Sequence, residues 1–111
     1  MKIAFQTEKV QALYESSKLV AKKFGHEVEK KFRVRLDDLE AAHTLHDMRS
    51  LPGHWEELKF DRIGQFSARL HGGYRLIIKP QKQPPPTKAD GGMDWRAIDS
   101  IFILEVVDYH D

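Results

Sequence analysis

Apolar residues recur at helical spacing over the first third of the chain. They do so across residues 8–24, directly after Thr7, whose hydroxyl suits a helix N-cap. Lys22 and Lys23 lie in the last turn of this run and Gly25 follows it, which is typical of a helix C-terminus. The pattern therefore predicts one helix over residues 8–24. A second apolar stripe, beginning near Glu27 and running through Val28, Phe32, Leu36 and Leu39, predicts a second helix that forms a hairpin with the first.

Alternating apolar and polar residues, the period of a β-strand, mark much of the remaining chain. Gly72 and Gly73 separate two such runs, which predicts a β-hairpin with a two-residue turn at the glycines. A Pro- and Gly-rich segment at about 79–97 is predicted to lack regular structure. The predicted strands are residues 1–6, 55–60, 65–71, 74–79 and 98–107.

The order of these elements predicts a single α+β domain over residues 1–111. We expect the N-terminal short strand and the two-helix hairpin to pack on one face of a small antiparallel sheet. A chain of this length buries enough surface to fold without a disulfide or a structural metal. It contains no cysteine, which excludes thiol nucleophiles and Cys-type zinc sites.

Charge is nearly balanced overall but segregated along the chain. The sequence has 18 Lys and Arg against 17 Asp and Glu, a net charge of +1. Residues 62–82 nevertheless carry five cations and no carboxylate, which indicates either an anionic partner such as nucleic acid or pairing with acidic segments across the fold. The longest uninterrupted aliphatic or aromatic run is Ile101–Leu104, and the first residues lack the features of a secretory signal, so we expect a cytoplasmic protein with no membrane partner.

Several motifs in a fixed order resemble one protein family. They are Leu36-x-x-Leu39-x-x-Ala42-x-x-Leu45-x-Asp47-Met48, Leu51-Pro52-Gly53, Leu58-Lys59-x-Asp61-Arg62-x-Gly64-x-Phe66-Ser67-x-Arg69, Tyr74-Arg75-Leu76 and Asp108-Tyr109-His110. Together they resemble the HigB branch of the RelE/ParE toxin superfamily. The resemblance implies a type II toxin that arrests growth as a ribosome-dependent mRNA endonuclease. It also implies cleavage without metal or cofactor, and a hetero-oligomer with a helix-turn-helix, HigA-like antitoxin.

The resemblance also assigns roles to individual residues. Arg75 matches the arginine that contacts the scissile phosphate, and Asp108-Tyr109-His110 match a catalytic motif. Histidine titrates near neutral pH and can act as acid or base, so we expect His110 to do so, with Asp108 orienting it. Glu56 stands where some members carry a histidine general base. The residues expected to bind RNA are Lys59, Arg62, Arg69 and His71.

Two questions stay open at the level of sequence. A two-residue turn at Gly72 and Gly73 puts Arg75 on the face opposite Arg69, whereas a three-residue loop or a bulge brings the two arginines together. The function also has alternatives, namely a ParE-like inhibitor of DNA gyrase or an inactive homologue that binds an antitoxin or acts as a corepressor. The departure at Glu56 and the long proline-bearing segment keep the inactive homologue open.

Overall fold

The fold was analysed in a computed structural model, which describes residues 1–109. It is an α+β domain architecture, as predicted. The elements are β1 (Lys2–Phe5), α1 (Glu8–Tyr14), α2 (Ser17–Phe24), α3 (His26–Ala41), β2 (Glu56–Glu57), β3 (Phe66–Arg69), β4 (Tyr74–Pro80) and β5 (Ser100–Asp108), with 3₁₀ turns over Leu45–Ser50, Phe60–Arg62 and Trp95–Ala97.

The predicted first helix is in fact two helices. Its first part ends at Tyr14, and the Ser16 hydroxyl accepts a hydrogen bond from the Leu19 backbone N–H at 3.1 Å, which caps the start of α2. Serine at this position competes with continuation of the helix because its hydroxyl satisfies a free N–H of the next one. Thr7 caps α1 in the same way through the Val10 N–H, as expected.

The sheet has the strand order β1-β5-β4-β3-β2. Strands β2 to β5 pair antiparallel, but β1 pairs parallel with β5, so the expectation of a wholly antiparallel sheet is wrong. A parallel pair requires a long crossover between its strands. The chain has one, because nearly all of the protein lies between β1 and β5.

The β3–β4 hairpin has a three-residue loop, not the predicted two-residue turn. Leu70 pairs with Tyr74 through an N–H···O bond of 3.0 Å, which leaves His71, Gly72 and Gly73 as the loop. Gly72 has a φ of +62°, a conformation that glycine adopts without steric penalty. In this register Arg69 lies directly opposite Arg75.

The helices pack on one face of the sheet, which we call the helix face. Its core joins Val28, Phe32 and Leu39 of α3 to strand residues such as Leu76 and Ile103. Ile77 is also fully buried but lies outside this core, because its side chain points to the other face. The side chains of the two faces therefore have different surroundings.

The proline-bearing segment is irregular, as predicted, apart from a bridge between Thr87 and Met93 and the turn at Trp95–Ala97. Its C-terminal part is buried: Trp95 packs edge-to-face on Phe66, with ring centroids 4.9 Å apart. The Trp95 Nε1 donates to the Glu57 carboxylate at 2.6 Å. No helix within residues 1–109 is long and apolar enough to cross a bilayer.

Candidate nucleic-acid interface

The sheet face turned away from the helices, which we call the open face, is built by the register of four strands. Residues directly opposite each other in an antiparallel pair share a face. On the open face this pairing forms two neighbouring rows of side chains that run across the strands. One row contains Glu56, Ser67, Ile77 and Glu105, and the other contains Arg69, Arg75 and Val107.

Two arginines face each other in the second row. Arg69 of β3 pairs directly with Arg75 of β4. Side chains so paired have Cβ atoms about 5 Å apart, and like charges at this separation are destabilising. Neither guanidinium has a carboxylate partner within hydrogen-bonding distance among the described residues. The pair therefore concentrates positive charge that no carboxylate of the described residues neutralises.

Arg75 lies beside Tyr109. Its guanidinium carbon is 5.9 Å from the centre of the Tyr109 ring, within the range of a cation–π contact. The same guanidinium donates to the Tyr74 carbonyl at 3.1 Å, and the Tyr109 N–H donates to the Gly73 carbonyl at 2.9 Å. These bonds hold the end of β5 against the hairpin loop, so that an exposed phenol and an arginine share one edge of the open face.

The backbone of Arg69 is fixed from both sides. Its N–H donates to the Gly53 carbonyl at 2.6 Å, and its carbonyl accepts from the Arg35 Nε at 2.9 Å. Gly53 is required there, because a Cβ would lie 2.9 Å from the Arg35 Nε and 2.8 Å from the Trp55 Nε1. Arg35 thus ties α3 to the end of β3 and positions Arg69.

Sequence reasoning missed Arg35. The apolar spacing predicts that Leu36 lies in the buried stripe of α3, but the structure buries Arg35 and leaves Leu36 only half-buried. Spacing could have identified it, since position 35 lies seven residues after Val28 and three after Phe32, on the same helical face. Burial lowers the pKa of the Arg35 guanidinium from its usual value, although arginine stays charged.

A loop of residues 58–65 folds across the first row. It is closed by a bond from the Leu58 N–H to the Gln65 carbonyl at 2.9 Å. From it the Arg62 guanidinium reaches Glu105 on β5 at 3.2 Å and the Gln65 side chain at 2.9 Å. Because Glu105 belongs to the row of Ile77, the Arg62 side chain lies across that row, consistent with the complete burial of Ile77.

The remaining predicted residues divide between the two faces. Glu56 is exposed on the open face, diagonal to Arg69, and Lys59 is exposed on the 58–65 loop. Asp108 pairs with Tyr74, whose ring packs on Phe24, so Asp108 lies on the helix face. His71 lines a cleft of about 400 Å³ between the hairpin loop and the α2–α3 turn, together with Tyr74 and His26. His110 lies outside the described residues.

The register therefore brings together Arg69, Arg75, Tyr109 and Glu56, and separates them from Asp108 and His71. Arg75 pairs with Val107, so the next residue of β5, Asp108, points to the opposite face from Arg75. Asp108 and Tyr109 are neighbours at the end of β5, so the two groups meet only at the hairpin end of the sheet. No three His, Asp or Glu side chains within residues 1–109 are grouped to hold a metal ion.

Comparison with models of known families and with characterised proteins finds no match to this chain. The site is therefore interpreted by its chemistry. Two opposed arginines and an exposed tyrosine on an open sheet can donate hydrogen bonds to a phosphate, with the exposed carboxylate of Glu56 on the same face. A phosphodiester group is one anion that such a pair of arginines can bind.

Proposed function

We propose that this protein is a toxin of a type II toxin-antitoxin system, of the RelE/ParE superfamily and HigB-like. It acts as a ribosome-dependent mRNA endonuclease that inhibits translation. The observation that carries the proposal is the direct opposition of Arg69 and Arg75 on the open face, next to Tyr109. Two like charges held side by side are accounted for when a bound phosphate lies between them.

The reaction we propose needs three kinds of group. A base takes the proton of the ribose 2′-OH, and the 2′-oxygen attacks the adjacent phosphorus. The bond from phosphorus to the 5′-oxygen breaks, leaving a cyclic phosphate, and an acid protonates the departing 5′-oxygen. Arg69 and Arg75 stabilise the negative charge that builds on the phosphate, and the Tyr109 phenol contacts the RNA beside them.

The candidates for the general acid and the general base come from the sequence resemblance. His110 is proposed to move a proton, because imidazole titrates near neutral pH. The neighbouring Asp108 is proposed to orient His110; because Asp108 lies on the helix face, it does not itself contact the phosphate held by the two arginines. Glu56 is the second candidate base. It is exposed and shares the face of Arg69 and Arg75. A helix-turn-helix, HigA-like antitoxin is proposed to neutralise the toxin in a hetero-oligomer.

Expression of the chain in growing bacteria tests the proposal. We expect growth arrest, together with new 5′ ends inside translated messages when transcripts are mapped by primer extension. Blocking translation initiation on a reporter message should abolish the cuts in that message. Arrest with intact messages and broken chromosomes would contradict the proposal and indicate inhibition of gyrase.

The role of His110 is tested separately. We expect His110→Ala to reduce cutting by a factor of about 10²–10⁴ while the circular dichroism spectrum stays that of the wild type. Glu56→Gln serves as the parallel variant for the second candidate base. Unchanged cutting in His110→Ala removes that residue from the site, and a loss confined to Glu56→Gln moves the base to Glu56.

A further inference from the structure

The tip of the 58–65 loop exposes large apolar side chains. Phe60 is 87% exposed and Ile63 is 76% exposed, more than any other large hydrophobic residue of the described chain. By contrast, Leu19 on α2 is 44% exposed, an ordinary value for a surface leucine. A nearly fully exposed phenylalanine beside an exposed isoleucine is an unfavourable surface unless a ligand covers it.

The backbone at Phe60 is also strained. Its φ is +59°, in the left-handed region that bulky residues rarely adopt. Three successive hydrogen-bonded turns hold the loop in this conformation. Their backbone hydrogen bonds, 3.0–3.2 Å long, run from the Arg62 N–H to the Lys59 carbonyl, from the Ile63 N–H to the Phe60 carbonyl and from the Gln65 N–H to the Arg62 carbonyl. Strain of this kind persists where the surroundings enforce it and is concentrated at functional sites.

The charges around Phe60 indicate what the ligand is. Lys59 and Arg62 flank it in sequence, with Asp61 as the one carboxylate of the same turn. Through the Arg62–Glu105 ion pair the loop is fixed on the open face, beside the row of Arg69 and Arg75. The loop therefore lies on the same face as the opposed arginines, across the neighbouring row of residues.

We infer that Phe60 is a stacking platform for an unpaired base of the RNA strand whose phosphate Arg69 and Arg75 hold. Ile63 forms a second apolar wall beside the same base. The inference rests on the proposed function, since it needs a single-stranded RNA on the open face. Single-strand binding commonly combines cations along the backbone with aromatic rings under the bases, and this loop places the exposed Lys59 directly before the exposed ring of Phe60.

Fluorescence anisotropy of a short labelled single-stranded RNA, binding to the full chain, tests the inference. We compare wild type, Phe60→Ala and Phe60→Trp, with Leu19→Ala as the matched control for loss of an exposed apolar side chain. One stacked base corresponds to a loss of about ten-fold in affinity for Phe60→Ala. Phe60→Trp should bind at least as tightly as wild type, and Leu19→Ala should equal wild type.

A second ligand separates stacking from charge. An abasic ribose-phosphate strand of the same length should bind wild type and Phe60→Ala equally, because it offers nothing to stack. Phe60→Ala should keep the wild-type dependence of affinity on salt, whereas Arg69→Ala should reduce it by one phosphate contact. Circular dichroism checks that each variant is folded.

The outcomes distinguish the two proposals. Equal affinity of wild type and Phe60→Ala for the base-containing RNA, with a normal salt dependence, overturns the stacking role and leaves the endonuclease proposal intact. If in addition Phe60→Ala abolishes complex formation with a co-expressed antitoxin, the loop tip is a protein-binding surface instead. Absence of salt-dependent RNA binding in the wild type overturns the stacking role, whereas the endonuclease proposal is decided by the cuts in translated messages.

Discussion

The two faces of the sheet are stabilised by different means. On the helix face, apolar side chains such as Phe32 and Leu76 are fully buried against one another, and the polar groups among them have partners. On the open face, Arg69 and Arg75 lie opposite each other and Tyr109 is exposed. Burial of apolar area is the main favourable term in folding, whereas adjacent like charges oppose it.

The difference indicates which face serves the fold and which serves a ligand. Substitutions on the helix face should change stability, and those on the open face should change binding or cleavage with little effect on stability. The loop at Phe60 resembles the open face in this respect, because its exposed ring and its positive φ are both unfavourable for the stability of the fold. Substitutions on each face therefore test whether that face serves stability or ligand binding.

The largest effect on stability is expected for Phe32→Ala. Phe32 is fully buried, and its ring packs edge-to-face on Tyr14 with centroids 5.4 Å apart. Removing a buried phenyl ring costs about 3–5 kcal/mol in free energy of unfolding, measured by urea denaturation. Val34→Ala on the exposed side of the same helix is the control and should change stability by less than about 0.5 kcal/mol. Similar losses in both variants would contradict the assignment of the core.

Among the residues of the open face, Arg75→Ala should have the largest effect on activity. Loss of a cation that stabilises a developing phosphate charge lowers the cleavage rate by a factor of about 10²–10³, measured by primer extension on translated message. Stability should be unchanged or slightly higher, because the repulsion from Arg69 is removed. Arg96→Ala, an exposed arginine of the Trp95–Ala97 turn, is the matched control and should cut normally. If both arginine variants lose activity equally, general charge and not the opposed pair is responsible.

Tyr14→Phe tests a polar contact on the helix face. Beyond its pairing with β1, strand β5 has a free edge, and the Tyr14 hydroxyl accepts a hydrogen bond from the Val106 N–H there at 2.8 Å. Removing the hydroxyl leaves that buried N–H without its partner and should cost about 1–3 kcal/mol of unfolding free energy.

The pH dependence of this difference has a defined sign. Burial raises the pKa of the Tyr14 phenol above its ordinary value of 10.0. The unfolded state therefore ionises first, and wild type loses stability as the pH rises above about 10 while Tyr14→Phe does not lose this contribution. The stability difference between the two proteins should shrink above that pH. A difference that stays constant between neutral and alkaline pH would contradict the buried state of the phenol.

Local patterns predicted most of the elements, and long-range pairing accounts for the errors. The second helix, the irregular segment and four of the strands follow from periodicity and from Gly and Pro positions, whereas the strand predicted over residues 55–60 is reduced to Glu56–Glu57. The break at Ser16 was missed because the apolar spacing continues across it. The parallel pairing of β1 with β5 was missed because no local signal specifies a partner almost a whole chain away.

The candidate site depended on a register that sequence left open. One extra residue in the hairpin loop decides whether Arg75 joins Arg69, and both a two-residue and a three-residue loop suit a segment with Gly72 and Gly73. The separation of Asp108 from Arg75 follows from the same register. The conformation of Phe60 was not predictable, because positive φ at a phenylalanine follows from how the loop closes and not from the residue itself.

The smallest predicted effect is a gain in stability from Phe60→Gly. A left-handed conformation costs a residue with a side chain about 1–2 kcal/mol, and glycine adopts it freely. Glycine also makes the unfolded chain more flexible, which offsets about 0.5–1 kcal/mol, so the net gain expected in urea denaturation is about 0.5–1 kcal/mol. Phe60→Ala is the control, because it removes the ring but keeps the strained backbone, and it should show no such gain. If Phe60→Gly is more stable than wild type yet binds RNA more weakly, the phenylalanine is present for its ligand at the expense of the fold. A loss of stability in Phe60→Gly would instead mean that the exposed ring supports the loop, and it would assign Phe60 to the structural side of the division between the two faces.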